Sequence, residues 1–201
     1  MSTRTRLTPD ARREQLLDLG ARLMATRTLE EMSIDVLAEE AGISRGLLYH
    51  YFGTKQDFHE AVVRRVVERL HAATAPVDDP DVVVRLTVSL QHFLAHVREN
   101  ETLYRSFRRA AYGGNERMRA IYEEARAALI DRIFDSASAE ELGAFGIVDT
   151  APVRMLARSW GAYVEDVVLS WLEDDRGVEE EDLLGSLVAS LAGVLATAPR
   201  A

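Results

Sequence analysis

The stretch Ser33–Lys55, SIDVLAEEAGISRGLLYHYFGTK, decides the fold. It predicts two short helices joined by a tight turn, with a third about to begin. Ser33 suits an N-cap, its hydroxyl accepting from a first-turn N–H, and Asp35 sits where the positive end of the helix dipole favours a carboxylate. Met32 and Leu37 occupy the two positions of a hydrophobic staple. Gly42 ends the first helix, because it can take the left-handed conformation that a residue with a Cβ resists. Ser44 caps the second, whose inner face is Leu48 and Phe52, four residues apart. Two helices around a short glycine turn form a helix-turn-helix. Arg45, Gly46, Leu47, Tyr49 and His50 then lie on the outer face of the second helix, the kind of helix that docks in a DNA major groove.

Working outward, Thr8-Pro9 opens an earlier helix, with a hydroxyl cap and a proline at its first position. Its apolar residues Leu16, Leu17, Gly20, Leu23 and Met24 recur on one face and are expected to cover the helix-turn-helix. Residues 1–8 read as a polar arm carrying Arg4 and Arg6, either a plain tail or an arm that reaches DNA. On the other side, Thr54 caps a fourth helix, with Asp57 in capping-box position. Its stripe Phe58, Ala61, Val62, Val66 and Leu70 runs to about Ala73, and PVDDP at 76–80 breaks the chain.

The run Ala38-x-x-Ala41-Gly42-Ile43-Ser44-x-Gly46-x-Leu48-Tyr49-x-Tyr51-Phe52-x-x-Lys55 resembles the DNA-binding domain of the tetracycline-repressor (TetR) family over roughly residues 10 to 60. One departure is Tyr51, where that family often has histidine; tyrosine can still donate to a phosphate. The resemblance implies a homodimeric, ligand-responsive transcription regulator, most simply a repressor, that reads a palindromic operator in double-stranded DNA. On that reading Arg45 contacts a guanine edge, Leu47 a thymine methyl, and His50 a base or a phosphate. Tyr49, Tyr51, Thr54 and Lys55 hold phosphates, and Ser33, Ser44 and Gly46 complete the DNA-facing set.

Composition bounds the remainder. The chain has 201 residues, 47% of them hydrophobic, and no cysteine, which excludes disulfides, thiolate catalysis and cysteine-ligated zinc. No apolar run approaches the ~18 residues of a membrane span, and no export signal is evident, so a cytoplasmic protein is expected. The net charge of −9 is uneven: residues 1–75 hold 11 basic and 11 acidic side chains, residues 76–201 hold 13 and 22. Acidity therefore belongs to the C-terminal part, away from any DNA. Lys55 is the sole lysine.

From Asp81 onward the pattern is helical throughout. Val83, Leu86, Leu90, Phe93, Leu94 and Val97 mark one face, and Leu103, Phe107 and Ala110 a shorter helix stopped by Gly113-Gly114. Met118 to Ile133 marks the next. Residues 136–148 read as a loop, Pro152 opens a long helix to Trp171, and a last helix covers about Val178 to Leu195. The expected class is all-α with about nine helices: a head at 1–54, a connecting helix at 55–75 and a ligand-binding and dimerisation domain at 76–201.

Gly185, Ala189 and Gly193 form a small-residue stripe suited either to packing within the chain or to a two-fold interface. An effector site is expected among Phe93, Tyr104, Phe107, Tyr122, Phe134, Trp160 and Tyr163, with His92, His96 or Arg158 as polar anchors; plain core packing competes for each. His92 and His96 could share a metal but lack an accompanying cysteine or carboxylate, and neither a metal nor a cofactor is expected. Phosphate loops and nucleophile elbows are absent from the sequence, leaving an all-α enzyme or small-molecule binder with an incidental helix-turn-helix as the alternative.

Overall fold

A computed structural model describes residues 8–29 and 31–198. The polar arm with Arg4 and Arg6 lies outside the described residues. Ten helices follow in order: α1 (Pro9–Met24), α2 (Ile34–Ala41), α3 (Arg45–Phe52), α4 (Lys55–Ala73), α5 (Val82–Glu99), α6 (Glu101–Tyr112), α7 (Glu116–Asp135), α8 (Ala139–Ala144), α9 (Ala151–Glu173) and α10 (Glu180–Ala196). No strand occurs among the described residues. Contacts divide the chain into two compact units, residues 1–69 with 100–122, and residues 70–99 with 123–201.

The first unit holds α1 to α3, most of α4, α6 and the start of α7. Thr8 caps α1, its Oγ1 accepting from Ala11 N at 3.2 Å, with Pro9 behind it. The expected inner face of α1 is buried: Leu16, Leu17, Gly20, Leu23 and Met24. Gly20 is where α1 and α4 approach. A Cβ there would stand 2.4 Å from Val62 Cγ2 and 2.9 Å from Phe58 Cζ, so only glycine fits without displacement. Met32, Leu37, Leu48 and Phe58 are fully buried in the same core. Phe52 meets Phe58 edge to face, centroids 4.8 Å apart at 81°, and the Arg13 guanidinium stacks 5.2 Å over its ring. Phe107, Ala111, Met118, Ile121 and Tyr122 continue this core from α6 and α7.

In the second unit α10 packs against α9 and α5. Its leucines 183, 184, 187, 191 and 195 are buried, the outcome of an i, i+4 stripe with one additional leucine. Gly161 of α9 lets Ile130 of α7 approach, since a Cβ would lie 2.9 Å from Ile130 Cδ1. Arg132 donates to His71 O at 2.7 Å and to Thr74 Oγ1 at 2.9 Å, satisfying carbonyl-end groups where α4 finishes.

Three local expectations are corrected. Residues 136–148 are not simply loop: Ser138 and Glu141 close a capping box that starts α8, with Ser138 N donating to Glu141 Oε2 at 2.6 Å and Glu141 N to Ser138 Oγ at 3.2 Å. The segment is short and small-residued, so no periodicity betrayed it. Val83 is 37% exposed rather than part of the α5 core face, where Arg85 is buried instead. Tyr163 of α9, for which an effector site and core packing were the competing expectations, is 48% exposed.

Candidate nucleic-acid interface

The interface is built from α2, its turn and α3. Ser33 Oγ accepts from Val36 N at 3.2 Å and Ser44 Oγ from Leu47 N at 3.2 Å, so both hydroxyls start helices. Gly42 has φ +63° and ψ +37°, the left-handed conformation that lets the chain turn sharply between α2 and α3. With Leu48 and Phe52 buried, helix geometry fixes which residues look outward. Arg45, Gly46, Tyr49 and His50 are exposed, while Leu47 and Tyr51 are half-buried. Tyr51 lies edge-on to His50, centroids 5.6 Å apart. The space a Cβ would take at Gly46 is open, with Ser44 Oγ nearest at 4.0 Å.

Beyond α3, Gly53 turns the chain with φ +71°. Thr54 and Asp57 then cap α4 reciprocally: Thr54 N donates to Asp57 Oδ2 at 3.1 Å and Asp57 N to Thr54 Oγ1 at 3.1 Å. Lys55 follows as the first residue of α4, half-buried.

Two features of this surface had no signal in the sequence. Asp35 of α2 forms an ion pair with Arg45 Nε, both side chains more than half exposed. The pair spans the turn, so no helical spacing announces it. His59 Nε2 donates to Met32 O at 3.0 Å and ties α4 to the start of α2. Burial holds the pKa of this imidazole below the ordinary histidine value.

The aromatic residues considered for an effector are distributed over both units. Tyr104, Phe107 and Tyr122 are buried in the first, Phe107 and Tyr122 edge to face at 5.0 Å. In the second, Trp160 is buried with Nε1 donating to Ser190 Oγ at 2.8 Å, Phe93 is half-buried, and Tyr163 is exposed. His92 and Arg158 are exposed, and Arg158 pairs with Asp131 at 2.6 Å. The second unit has an apolar cavity of about 180 Å³ whose walls include Leu86, Phe134, Leu142, Phe145, Leu191 and Leu195. Of the aromatic residues considered, Phe134 lines it. Gly185, Ala189 and Gly193 are all exposed, with nothing within 4 Å of a Cβ placed on either glycine. Among the described residues no His, Asp and Glu cluster could hold a metal, and no helix is long and apolar enough to cross a membrane.

Comparison with known proteins places this geometry. Residues 16–62 match the model of bacterial regulatory proteins of the tetR family, and residues 82–193 the model of the tetracyclin repressor-like C-terminal domain. The transcriptional activator FasR of Mycolicibacterium smegmatis is 26% identical over 196 residues, 96% of this chain and 87% of the relative. The transcriptional repressor KstR2 of the same organism is 36% identical over 78 residues, 35% of this chain and 38% of that one. A tetR-family transcriptional regulator from Streptomyces coelicolor superposes with a TM-score of 0.73 at 26% identity, covering 94% of this chain and 82% of its own. A helix-turn-helix with its outer face free, and family matches on both sides of α4, lead to one conclusion: the chain belongs to the TetR family of DNA-binding transcriptional regulators and is not an enzyme.

Proposed function

We propose that the chain binds a palindromic operator as a homodimer and releases it in response to a small molecule. One observation carries the reading of DNA contact: α3 buries Leu48 and Phe52 and turns Arg45, Tyr49 and His50 outward. Arg45, held at Nε by Asp35, keeps both terminal nitrogens for guanine O6 and N7. Leu47 meets a thymine methyl and His50 a base or phosphate, while Tyr49, Tyr51, Thr54 and Lys55 position the helix on the backbone. The Ser33 and Ser44 hydroxyls can donate to phosphate while accepting their caps, and Gly46 leaves room for close approach. In this scheme residues 1–54 read DNA, 55–75 connect, and 76–201 hold the effector and the dimer.

Homodimerisation is supported by the outer side of α10, where Gly185, Ala189 and Gly193 leave a flat surface, and by exposed Met155 and Tyr163 on α9. A two-fold axis through such a surface would present two α3 helices to half-sites about 34 Å apart. The effector is assigned to the apolar cavity of the second unit. Repression is the simplest mode, since occupying an operator needs no further contact surface; FasR is an activator and KstR2 a repressor. The work is cytoplasmic, where the DNA is.

Gel retardation with DNA flanking the protein's own gene, in the presence of random competitor, tests this. A complex of two chains per site is expected. Equal affinity for random DNA at the same salt would overturn the operator reading.

A further inference from the structure

Among the described residues two cavities stand out, one in each unit, and their walls differ in chemistry. That of the first unit, about 400 Å³, includes Lys55, Gln56, His59, Arg109 and Asn115. That of the second, about 180 Å³, is lined by valine, leucine, isoleucine, phenylalanine, alanine and glycine alone. A charge or a strong hydrogen-bonding group placed there would lose its water and gain no side-chain partner. An apolar cavity of this size has room for a single ring of roughly six to ten carbon atoms. Three of its walls are the helices α5, α7 and α10, and the fourth is α8 with the loop after it, through Leu142, Phe145 and Ile147. That fourth wall is held differently from the others. Between Ser136 and Thr150 only Leu142 is buried, while Phe145 is 55% exposed. The described backbone hydrogen bonds of residues 138–147 run within that segment. Its described polar ties to the rest of the unit are two side-chain pairs. Arg85 of α5, itself buried, donates to Glu141 at 2.8 Å, and Arg154 of α9 donates to both oxygens of Asp149 at 2.7 Å. A segment with so few buried contacts opens at lower cost than the packed helices around it.

On the reading that this apolar cavity takes the effector, we propose that the effector is a small uncharged ring and that residues 138–149 are the door it passes, latched by Arg85–Glu141 at one end and Arg154–Asp149 at the other. Each latch carboxyl is held below its ordinary pKa, Glu141 at about 2 by the Ser138 N–H and Arg85, and Asp149 by Arg154. Neither latch therefore opens by protonation near neutral pH. A part-exposed ion pair biases such an equilibrium by up to about fivefold, enough to favour the shut door while leaving it free to move. Because a door governs entry and exit alike, loosening a latch speeds both and leaves affinity nearly as it was.

The full chain, labelled at its isoleucine δ1 methyl groups, provides the test, with 4-fluorotoluene as probe and 4-fluorobenzoate and 4-fluorobenzylammonium as charged counterparts. Ile133 of α7 and Ile147 of the door line the cavity, whereas Ile34, Ile43 and Ile121 belong to the first unit. The probe is expected to shift the Ile133 and Ile147 methyl resonances, assigned with Ile133→Val and Ile147→Val, and to leave those of the first unit in place. Both charged counterparts should bind at least about tenfold more weakly. The fluorine line width of the probe reads its exchange rate. Glu141→Gln, which keeps the capping box, and Asp149→Asn should each speed probe entry and exit together by about three- to fivefold, with affinity within about twofold of wild type. Unmoved Ile133 and Ile147 signals would overturn the site, equal binding of either charged counterpart the ligand class, and wild-type exchange rates in both variants the door. Weaker binding with unaltered entry would mark the two pairs as scaffolding and overturn the door likewise. If retardation shows no operator binding at all, the effector reading fails, while the methyl and fluorine signals of the protein alone still decide the cavity and its door.

Discussion

Removing Asp35 should change two properties in opposite directions. Its carboxylate holds Arg45 Nε, and both side chains are more than half exposed. Solvent-exposed ion pairs contribute about 0–1 kcal/mol to stability, which for a chain of this length moves the melting temperature by no more than about 4 °C. Asp35→Ala and Arg45→Ala should therefore fold and melt almost as the wild type does. At the operator their effects differ. Arg45→Ala loses a bidentate guanine contact, about 1–3 kcal/mol for each α3, or roughly 5- to 150-fold. A dimer makes the contact twice, so the loss approaches about 2–6 kcal/mol in all. Asp35→Ala keeps the arginine but frees its rotamers, so specific affinity falls by a smaller amount. It also removes a negative charge facing the phosphates, so non-specific affinity rises. The specificity ratio narrows from both ends. Fluorescence anisotropy with operator and scrambled duplexes at two salt concentrations measures both. An unchanged ratio in Asp35→Ala would refute the idea that this carboxylate aims the arginine.

Other outcomes follow from the same structure. Gly20→Ala should overpack the α1–α4 seam by about 1–3 kcal/mol, less about 1 kcal/mol of helix propensity gained; adding Val62→Ala should make room, so denaturant midpoints of the single and double variants should be non-additive by at least ~1 kcal/mol. His59 has its folded pKa held below its unfolded value, so its contribution is present above pH ~6.5 and lost as pH falls from there through the folded value; the difference in urea midpoint between pH 7.5 and pH 5.5 should shrink in His59→Gln. Glu141 is held at about 2 by the Ser138 N–H and Arg85, so the Arg85–Glu141 link should persist to acid pH and weaken only as pH falls from ~4.5 toward that value; Glu141→Gln should remove this part of the acid transition seen by circular dichroism. Ala189→Trp on the open face of α10 should leave the monomer folded and give a smaller species in sedimentation at micromolar protein, where the wild type should be a dimer.

The helix-turn-helix was legible because its information is local. Ser33, Gly42 and Ser44 act within three or four residues of themselves, and the caps and the left-handed turn stand where those residues predict. The capping box of Thr54 and Asp57 was readable for the same reason. What escaped depends on contacts across the chain. Arg45 meets Asp35 over a turn, and His59 meets a carbonyl 27 residues away. Arg85 of α5 is buried because Glu141 and the Asp79 carbonyl, from outside its own helix, receive it. Both cavities are likewise spaces between elements, and no single element's periodicity encodes an empty volume. Trp160, by contrast, is a large residue whose burial was easy to foresee and whose bond to Ser190 was not.

Lys55 stands alone as a side-chain amine in a chain whose other basic groups are arginines and histidines. At pH near 8, acylating reagents discriminate amines from guanidinium groups almost completely, so side-chain labelling addresses one atom, Nζ at the first turn of α4. Acetylation there would erase one positive charge and change no other side chain. A dye attached at the same nitrogen would give one reporter per chain at a fixed address. Lys55 is thus the one side-chain amine to label, already located at the first turn of α4, and it becomes a single handle once the more acidic α-amine of the chain is blocked.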